Sequence, residues 1–307
     1  MDQFDALTSK LRSTCPDLEL REREPMRLHT SFRVGGPARL MALPKTEAEA
    51  AAALTAAFSL GIPPIFMGNG SDLLVADAGI EGFVLKASEL SMLSLEGDNQ
   101  ICAGSGVKLA RLAVFALDHA LTGLEFAHGI PGTVGGAVTM DAGAYGGEMR
   151  DVVTETRYLT PEGALGTLRG AEHDFAYRHS AFSGGERLIL SSRLVLQPGD
   201  PAAIKARMED LAAQRREKQP LEFASAGSTF KRPEGYFAAA LIDGCGLKGK
   251  TIGGAQVSER HAGFVINRGD ASCRDILELI DFIRETVLRE TGIALELEIK
   301  TLGIQEV

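Results

Sequence analysis

Residues 129–138 read GIPGTVGGAV, with four glycines in ten positions in the middle of a 307-residue chain. Glycine loses more conformational freedom on folding than any other residue, so a cluster of this density needs a structural reason. Either the chain makes several turns with positive φ there, or something approaches its backbone too closely for side chains. A second glycine-bearing loop, Gly68-Asn-Gly-Ser-Asp72, follows residues 63–67, which read as a strand. Successive amides in such a loop can form a nest for a phosphate, and Ser71 adds a hydroxyl donor. The plain alternative is an ordinary strand-to-helix turn. Two such loops in one half of the chain point to a long ligand, such as a dinucleotide with its pyrophosphate.

The surrounding pattern is α+β. Thr46-Glu-Ala-Glu49 is a capping-box pattern just after Pro44 and predicts a helix from 46 to about 61. Residues 82–86 and 100–104 read as strands, and 107–121 as an apolar helix. From 152 to 168 the pattern is β, turning at Pro161-Glu-Gly163, and 187–196 is a further strand. Asp200-Pro201 supplies an N-cap and a proline at the first helical position. That helix ends in Arg215, Arg216 and Lys218, cations that suit a helix C-terminus. Residues 221–231 read as loop. Ser272-Cys-Arg-Asp275 opens another helix, with Ile276, Ile280, Ile283 and Val287 on one face. Residues 294–302 alternate as a strand would. A domain boundary is clearest near 198–201, with a weaker one near 89.

Composition narrows the function. A net charge of −9 disfavours nonspecific nucleic-acid binding but leaves a small anionic ligand open to a few local cations. Cys15, Cys102, Cys245 and Cys273 are scattered, without zinc spacing, so free thiols in a reducing cytoplasm are expected, and no metal site. The acidic N-terminus is not a signal peptide. Residues 50–71 lack charge, but are alanine-rich and broken by Gly61, Pro63 and Pro64, so a helix and strand fit better than a membrane span.

Other candidates are weaker. Gly244-Cys-Gly-Leu-Lys-Gly249 matches G-x-G-x-x-G, but an alanine-rich helix precedes it and Thr251-Ile-Gly-Gly254 follows, whereas a dinucleotide site needs a strand before and a helix after. It reads as a helix end and turn. Ser228, in Ala226-Gly-Ser-Thr-Phe-Lys-Arg-Pro233, has no triad partners in hydrolase order and no nucleophile elbow, so it suits a turn or a proton donor rather than a nucleophile. Taken alone, Tyr177-Arg178 fits a surface ion pair and Glu298 an outward strand position.

Together, however, these segments resemble one family. His29-Thr-Ser-Phe-Arg-Val-Gly-Gly-Pro-Ala38, the GNGSD loop, and GIPGTVGGAV continuing into Met140-Asp-Ala-Gly-Ala-Tyr-Gly-Gly-Glu148 come first. Tyr177-Arg178-His179-Ser180, Ser225-Ala-Gly-Ser-Thr-Phe-Lys-Arg-Pro233 and Gly253-Gly-Ala-Gln-Val-Ser-Glu-Arg-His-Ala-Gly263 follow. In this order, from about residue 26 to 302, they resemble the UDP-N-acetylenolpyruvoylglucosamine reductases of bacterial peptidoglycan synthesis. The short stretch between Arg178 and Arg187 resembles their type II branch.

The resemblance implies a vanillyl-alcohol-oxidase-type FAD-binding fold: residues 1–88 as one FAD-binding subdomain, 89–199 as a second, and 200–298 as a substrate domain. The tail 299–307 is a candidate to join the first. It implies non-covalent FAD held by Gly68, Asn69, Gly70, Ser71 and Asp72, and by Gly129, Ile130, Pro131, Gly132, Thr133, Gly135, Gly136 and Ala137. NADPH would reduce the flavin, and the UDP-linked enolpyruvyl ether would then receive the hydride at its methylene carbon. Charge builds on the α-carbon and carboxylate. Arg178 and Glu298 match the family's stabilising residues, and Ser228 its proton donor; Tyr177, Lys218, Arg232, Ser258 and His261 match positions near the substrate. A monomer or weak oligomer is expected. Asp72 and Asp141 depart from the family's commoner Asn, and Ala238-Ala-Ala240 from its Gly/Lys-containing turn. The alternatives are a related FAD-dependent oxidase and a non-catalytic nucleotide-binding paralogue.

Overall fold

The computed structural model describes residues 2–304. The chain divides into two compact units, one of residues 1–23, 39–69 and 82–214, the other of residues 24–38, 70–81 and 215–307. Residues 305–307, part of the tail expected to join the first subdomain, lie outside the described residues.

The first unit is built on two sheets. One has the strand order Glu19–Pro25, Pro37–Leu43, Ile80–Lys86, Pro64–Met67, the last two parallel. Helices α1 (Gln3–Thr14) and α2 (Glu47–Ser59) bury Leu7, Leu11, Ala50, Ala53, Leu54 and Ala57 in a core with Leu40, Phe83 and Leu85. The small residues of α2 let it pack closely on that core. Thr46 caps α2 by accepting from Glu49 N at 3.1 Å, while Glu49 reaches one residue further back, to Lys45 N at 2.6 Å.

The second sheet is antiparallel, in the order Leu165–Arg169, Val153–Leu159, Leu188–Val195, Gln100–Gly104, Leu93–Glu96. Its inward residues share a core with α3 (Leu109–Asp118) and α4 (Val134–Thr139). The apolar run 107–121 gives a shorter helix than its composition suggests. Ala120 takes φ +55°, and Leu121–Thr122 leaves as a strand paired with Gln197–Pro198. Helix α5 (Pro201–Lys218) starts as expected, with the Asp200 carboxylate accepting from Ala202 N and Ala203 N at 3.2 and 3.3 Å.

In the second unit, a three-stranded antiparallel sheet (Thr251–Ile252, Ala255–Val257, Val265–Asn267) lies with α6 (Ala238–Gly244) and α7 (Cys273–Thr291) around one core. Ile276, Ile280, Ile283 and Val287 are all essentially inaccessible, as their spacing predicts. Ser272 and Asp275 complete the capping box. Asp77 adds an acceptor for the Cys273 and Arg274 amides at 2.8 and 3.1 Å, placing negative charge at the helix N-terminus.

The strand expected over 294–302 is confined to Lys300–Leu302, which runs parallel to Leu73–Val75. Upstream, residues 296–298 pair with the loop 229–231 through a single bridge at Phe230 and Leu297. The GNGSD loop likewise leads into the short strand Leu73–Val75 and not into a helix. The segment 244–249 is a helix end and turn, with Gly246 and Gly249 at φ +69° and +76°.

Candidate active site

The glycine-rich segment resolves the question its composition poses. None of Gly129, Gly132, Gly135 and Gly136 is among the glycines with positive φ. Gly135 and Gly136 lie inside α4, where glycine is a poor choice on propensity alone. Close approach explains Gly135 instead. A Cβ on Gly135 would stand 2.9 Å from Ser105 Cβ, whereas one on Gly136 meets nothing nearer than Thr133 Oγ1 at 4.0 Å. Gly135 therefore seats the helix, and Gly136 presents bare, exposed backbone. The first amides of α4 are already committed: Val134 N donates to Val107 O and Gly135 N to Ser105 O, both at 2.9 Å.

The two glycine loops meet within the first unit, because a Cβ on Gly68 would overlap Thr133 Oγ1. That hydroxyl is buried and has no hydrogen-bond partner in the chain, and the same holds for Ser105 Oγ and His128 Nδ1. Three orphaned polar atoms beside a glycine-stripped surface are costly unless a ligand satisfies them. They suit a large polar cofactor laid against bare backbone, and in this respect the residues present fit FAD. Ser105 and His128 were not singled out from sequence; a lone Ser or His in a loop carries no signal until its burial is known. Ile130 packs partly against the core, while Pro131 and Asn69 are exposed.

In the second unit, Gly70 takes φ +61° and its carbonyl accepts from Ser31 N at 3.0 Å. Ser31 Oγ is buried without a partner, a further polar atom left for a ligand. Ser71 and Asp72 are half-buried, and Asp72 O accepts from Lys300 N. Asp141, the other departure from Asn, is 1% exposed and accepts from Arg150 N at 2.9 Å and Arg150 Nε at 2.6 Å. Its charge is thus consumed locally.

Arg178 sits on a tight turn of the first unit, Ala176 to His179, closed by reciprocal backbone bonds of 2.9 and 3.1 Å. It has φ +55°, an unfavourable conformation for a non-glycine residue, and its guanidinium lies 4.9 Å over the Tyr177 ring.

Ser228 and Glu298 are both carried by the second unit. Gly227, at φ +77°, turns the chain into Ser228. Thr229, wholly buried, then fixes the loop: its N donates to Gly263 O, its O accepts from Glu298 N, and its hydroxyl accepts from Val265 N, at 2.9, 2.9 and 3.0 Å. The segments that carry Ser228 and Glu298 are thereby tied together by backbone bonds. Arg232 lies 4.5 Å over the exposed Phe237 ring, and Lys218, the last residue of α5, is exposed. Arg260 from another segment caps that helix end, donating to Arg216 O and Gln219 O at 3.3 and 3.1 Å.

Ser258 and His261 fold one turn. Ser258 Oγ accepts from Arg260 N and His261 N, both at 3.2 Å, and His261 Nδ1 accepts from Gly263 N at 3.2 Å. The proton of the neutral ring is therefore on Nε2. Burial lowers the His261 pKa below 6.5 by disfavouring the imidazolium.

Comparison with known proteins agrees with this picture. Residues 38–169 match the FAD binding domain family, and residues 219–302 match the C-terminal domain of UDP-N-acetylenolpyruvoylglucosamine reductase. The chain is 43% identical to the UDP-N-acetylenolpyruvoylglucosamine reductase of Geobacillus kaustophilus over 303 residues, 99% of each chain. It is 48% identical to that of Exiguobacterium sibiricum over 280 residues, 91% of this chain and 92% of the relative. The crystal structure of the Thermus caldophilus reductase superposes with a TM-score of 0.79 at 34% identity, covering 93% of this chain and 98% of that one. A vanillyl-alcohol-oxidase-type FAD-binding fold joined to the reductase C-terminal domain, and identity of this level along nearly the whole chain, establish that the protein belongs to the UDP-N-acetylenolpyruvoylglucosamine reductase family of flavin-dependent oxidoreductases.

Proposed function

We propose that the chain reduces UDP-N-acetylglucosamine enolpyruvate to UDP-N-acetylmuramate with NADPH as reductant, Ser228 supplying the proton. What supports the reading is the Glu298 N to Thr229 O bond, which ties together the two segments that carry Ser228 and Glu298. The bound flavin supplies a hydride acceptor for NADPH and a hydride donor for the methylene carbon of the enolpyruvyl group. Gly68 to Asp72, Gly129 to Thr133 and Gly135 to Ala137 would hold it, with the unpartnered hydroxyl of Thr133 among the donors.

Arg178 binds the enolpyruvyl carboxylate, its fork of N–H donors matching the two oxygens. As charge develops on the α-carbon and carboxylate, a fixed guanidinium stabilises it without reorganising. Its turn and its stacking on Tyr177 support that fixed placement. Glu298 stabilises the same charge as a neutral acid or through water. Ser228 Oγ delivers the proton to the α-carbon. A hydroxyl is a weak acid near pH 7, so the transfer depends on the basicity of the enolate and on nearby positive charge. Lys218 and Arg232 serve the anionic groups of the substrate. His261, kept neutral by burial, offers Nε2–H and not a cation.

The division of labour follows the sequence: residues 1–88 and 89–199 for the cofactor, 200–298 for the substrate. No helix among the described residues is long and apolar enough to cross a membrane. The reading places the enzyme in the cytoplasm, as a monomer or weak oligomer and without a metal.

Sequential anaerobic additions test this. The flavin band is expected to bleach with NADPH and to return with the enolpyruvyl sugar nucleotide. Recovery only with oxygen would favour an oxidase. A colourless protein that cannot be reconstituted with FAD would overturn the cofactor reading.

A further inference from the structure

His173 is completely buried and belongs to none of the groups assigned above. Its Nδ1 lies 3.0 Å from Gly170 O and its Nε2 lies 2.9 Å from Thr156 Oγ1. A carbonyl oxygen only accepts, so in the neutral ring the proton is on Nδ1 and Nε2 accepts from the Thr156 hydroxyl. Thr156 Oγ1 in turn lies 2.9 Å from Ser192 Oγ across the sheet, where the two residues are register partners. Directions are then fixed along the chain: Ser192 donates to Thr156, Thr156 to His173, and His173 to Gly170 O. The imidazole stacks on Phe175 with ring centroids 4.9 Å apart and planes 5° from parallel.

A satisfied polar chain in a core is commonly only a packing solution. What sets this one apart is the loop it supports. Residues 174–179 leave directly from His173, and two non-glycine members, Asp174 and Arg178, adopt φ of +49° and +55°. Such conformations persist where surrounding contacts over-determine them. Within the loop, His179 Nε2 lies 3.2 Å from Asp174 Oδ2, and further contacts hold the loop's two feet. His173 holds the first foot, and its carbonyl accepts from Ala181 N at 2.7 Å. Ser180 Oγ and Ser183 Oγ hold the second, both donating to Thr139 O at the end of the glycine-rich helix, at 2.9 and 3.2 Å. The tip between the feet carries Arg178.

We propose that His173 is a positioning residue for Arg178: the Ser192–Thr156–His173 chain anchors the strained turn that aims the guanidinium. The inference rests on the proposed role of Arg178, and acts only through it. Loosening the foot lets the turn relax and the guanidinium wander, while the nicotinamide half of the reaction is untouched.

The test uses Thr156→Val, nearly isosteric and outside the turn itself, with the two half-reactions measured separately by anaerobic stopped flow. Reoxidation of reduced enzyme by the enolpyruvyl substrate should slow about 5- to 20-fold, the scale of a modest misplacement of a reacting-group partner. Flavin reduction by NADPH should stay within about twofold. In an Arg178→Lys background the effect of Thr156→Val should shrink to about twofold or less, since a residue acting through Arg178 has nothing left to aim. Equal slowing of both half-reactions, or full additivity with Arg178→Lys, overturns the proposal. If Arg178→Lys alone leaves substrate reduction unchanged, the role of Arg178 falls and this inference with it. If Arg178→Lys is slow but Thr156→Val is not, this inference alone falls. Ser192→Ala, which keeps the Thr156–His173 bond, guards against a folding failure of Thr156→Val. It should slow the same half-reaction by a smaller factor, and an undiminished rate with both variants folded counts against the proposal.

Discussion

A side chain at position 68 would occupy the space taken by the Thr133 hydroxyl. The glycine of one loop thus exists for the threonine of the other, and the two are separated by more than sixty residues of chain. Gly68→Ala should lower unfolding stability by about 1–3 kcal/mol, as over-packing does. It should also weaken FAD retention, followed by the fluorescence of released flavin. Thr133→Ala added to Gly68→Ala should restore most of the stability in a urea melt. A neutral Gly68→Ala would mean that the two loops do not meet.

Ser228→Ala should separate the two half-reactions. Removing a positioned proton donor is expected to slow substrate reduction by about 10²- to 10⁴-fold. Bleaching of the flavin by NADPH should proceed at nearly the wild-type rate, because no proton from Ser228 is needed there. Equal survival of both half-reactions would remove Ser228 from the role.

Asp141→Asn installs the amide common in the family. Asp141 is buried, whereas Arg150 is partly exposed and keeps a second carboxylate, Glu148, at 2.8 Å. The loss should therefore be about 1–2 kcal/mol, below the several kcal/mol of breaking a fully buried pair. Flavin affinity should change little, since the acid's oxygens are turned to Arg150. A large change in flavin dissociation would show that the charge is felt at the cofactor.

His261 makes stability depend on pH. Burial lowers its pKa in the folded state below the ordinary 6.5. As pH falls through 6.5 the unfolded chain takes up a proton that the folded chain resists, so this contribution is present above 6.5 and lost on acidification. Wild-type urea midpoints should fall between pH 7.5 and pH 5.5, and His261→Gln should show a shallower fall. Equal slopes would mean that the imidazole is solvated in the folded state.

The features legible in sequence are those whose hydrogen bonds close within a few residues. Thr46, Asp200 and Ser272 cap their helices where the pattern puts them, because a cap bonds to amides two or three positions on. The face of α7 follows from a spacing of three and four for the same reason. Alternation alone misleads at 294–302: Leu295 and Ile299 are buried, yet only the last three residues find a partner strand. A ladder needs a neighbour, and no local pattern states whether one is present.

By itself the sequence determined the three helices capped by Thr46, Asp200 and Ser272, the α+β class, and, through its ordered motifs, the family. It also posed the choice at GIPGTVGGAV between special turns and close approach. Only the tertiary structure decided it, because a glycine's φ and the atom its missing Cβ would strike depend on partners distant in the chain: Ser105 for Gly135, and Thr133 for Gly68. The same holds for the buried hydroxyls of Ser105, Thr133 and Ser31, and for the His173 chain. Burial and hydrogen-bond satisfaction are properties of the packed whole, so they become visible only when distant segments are brought together.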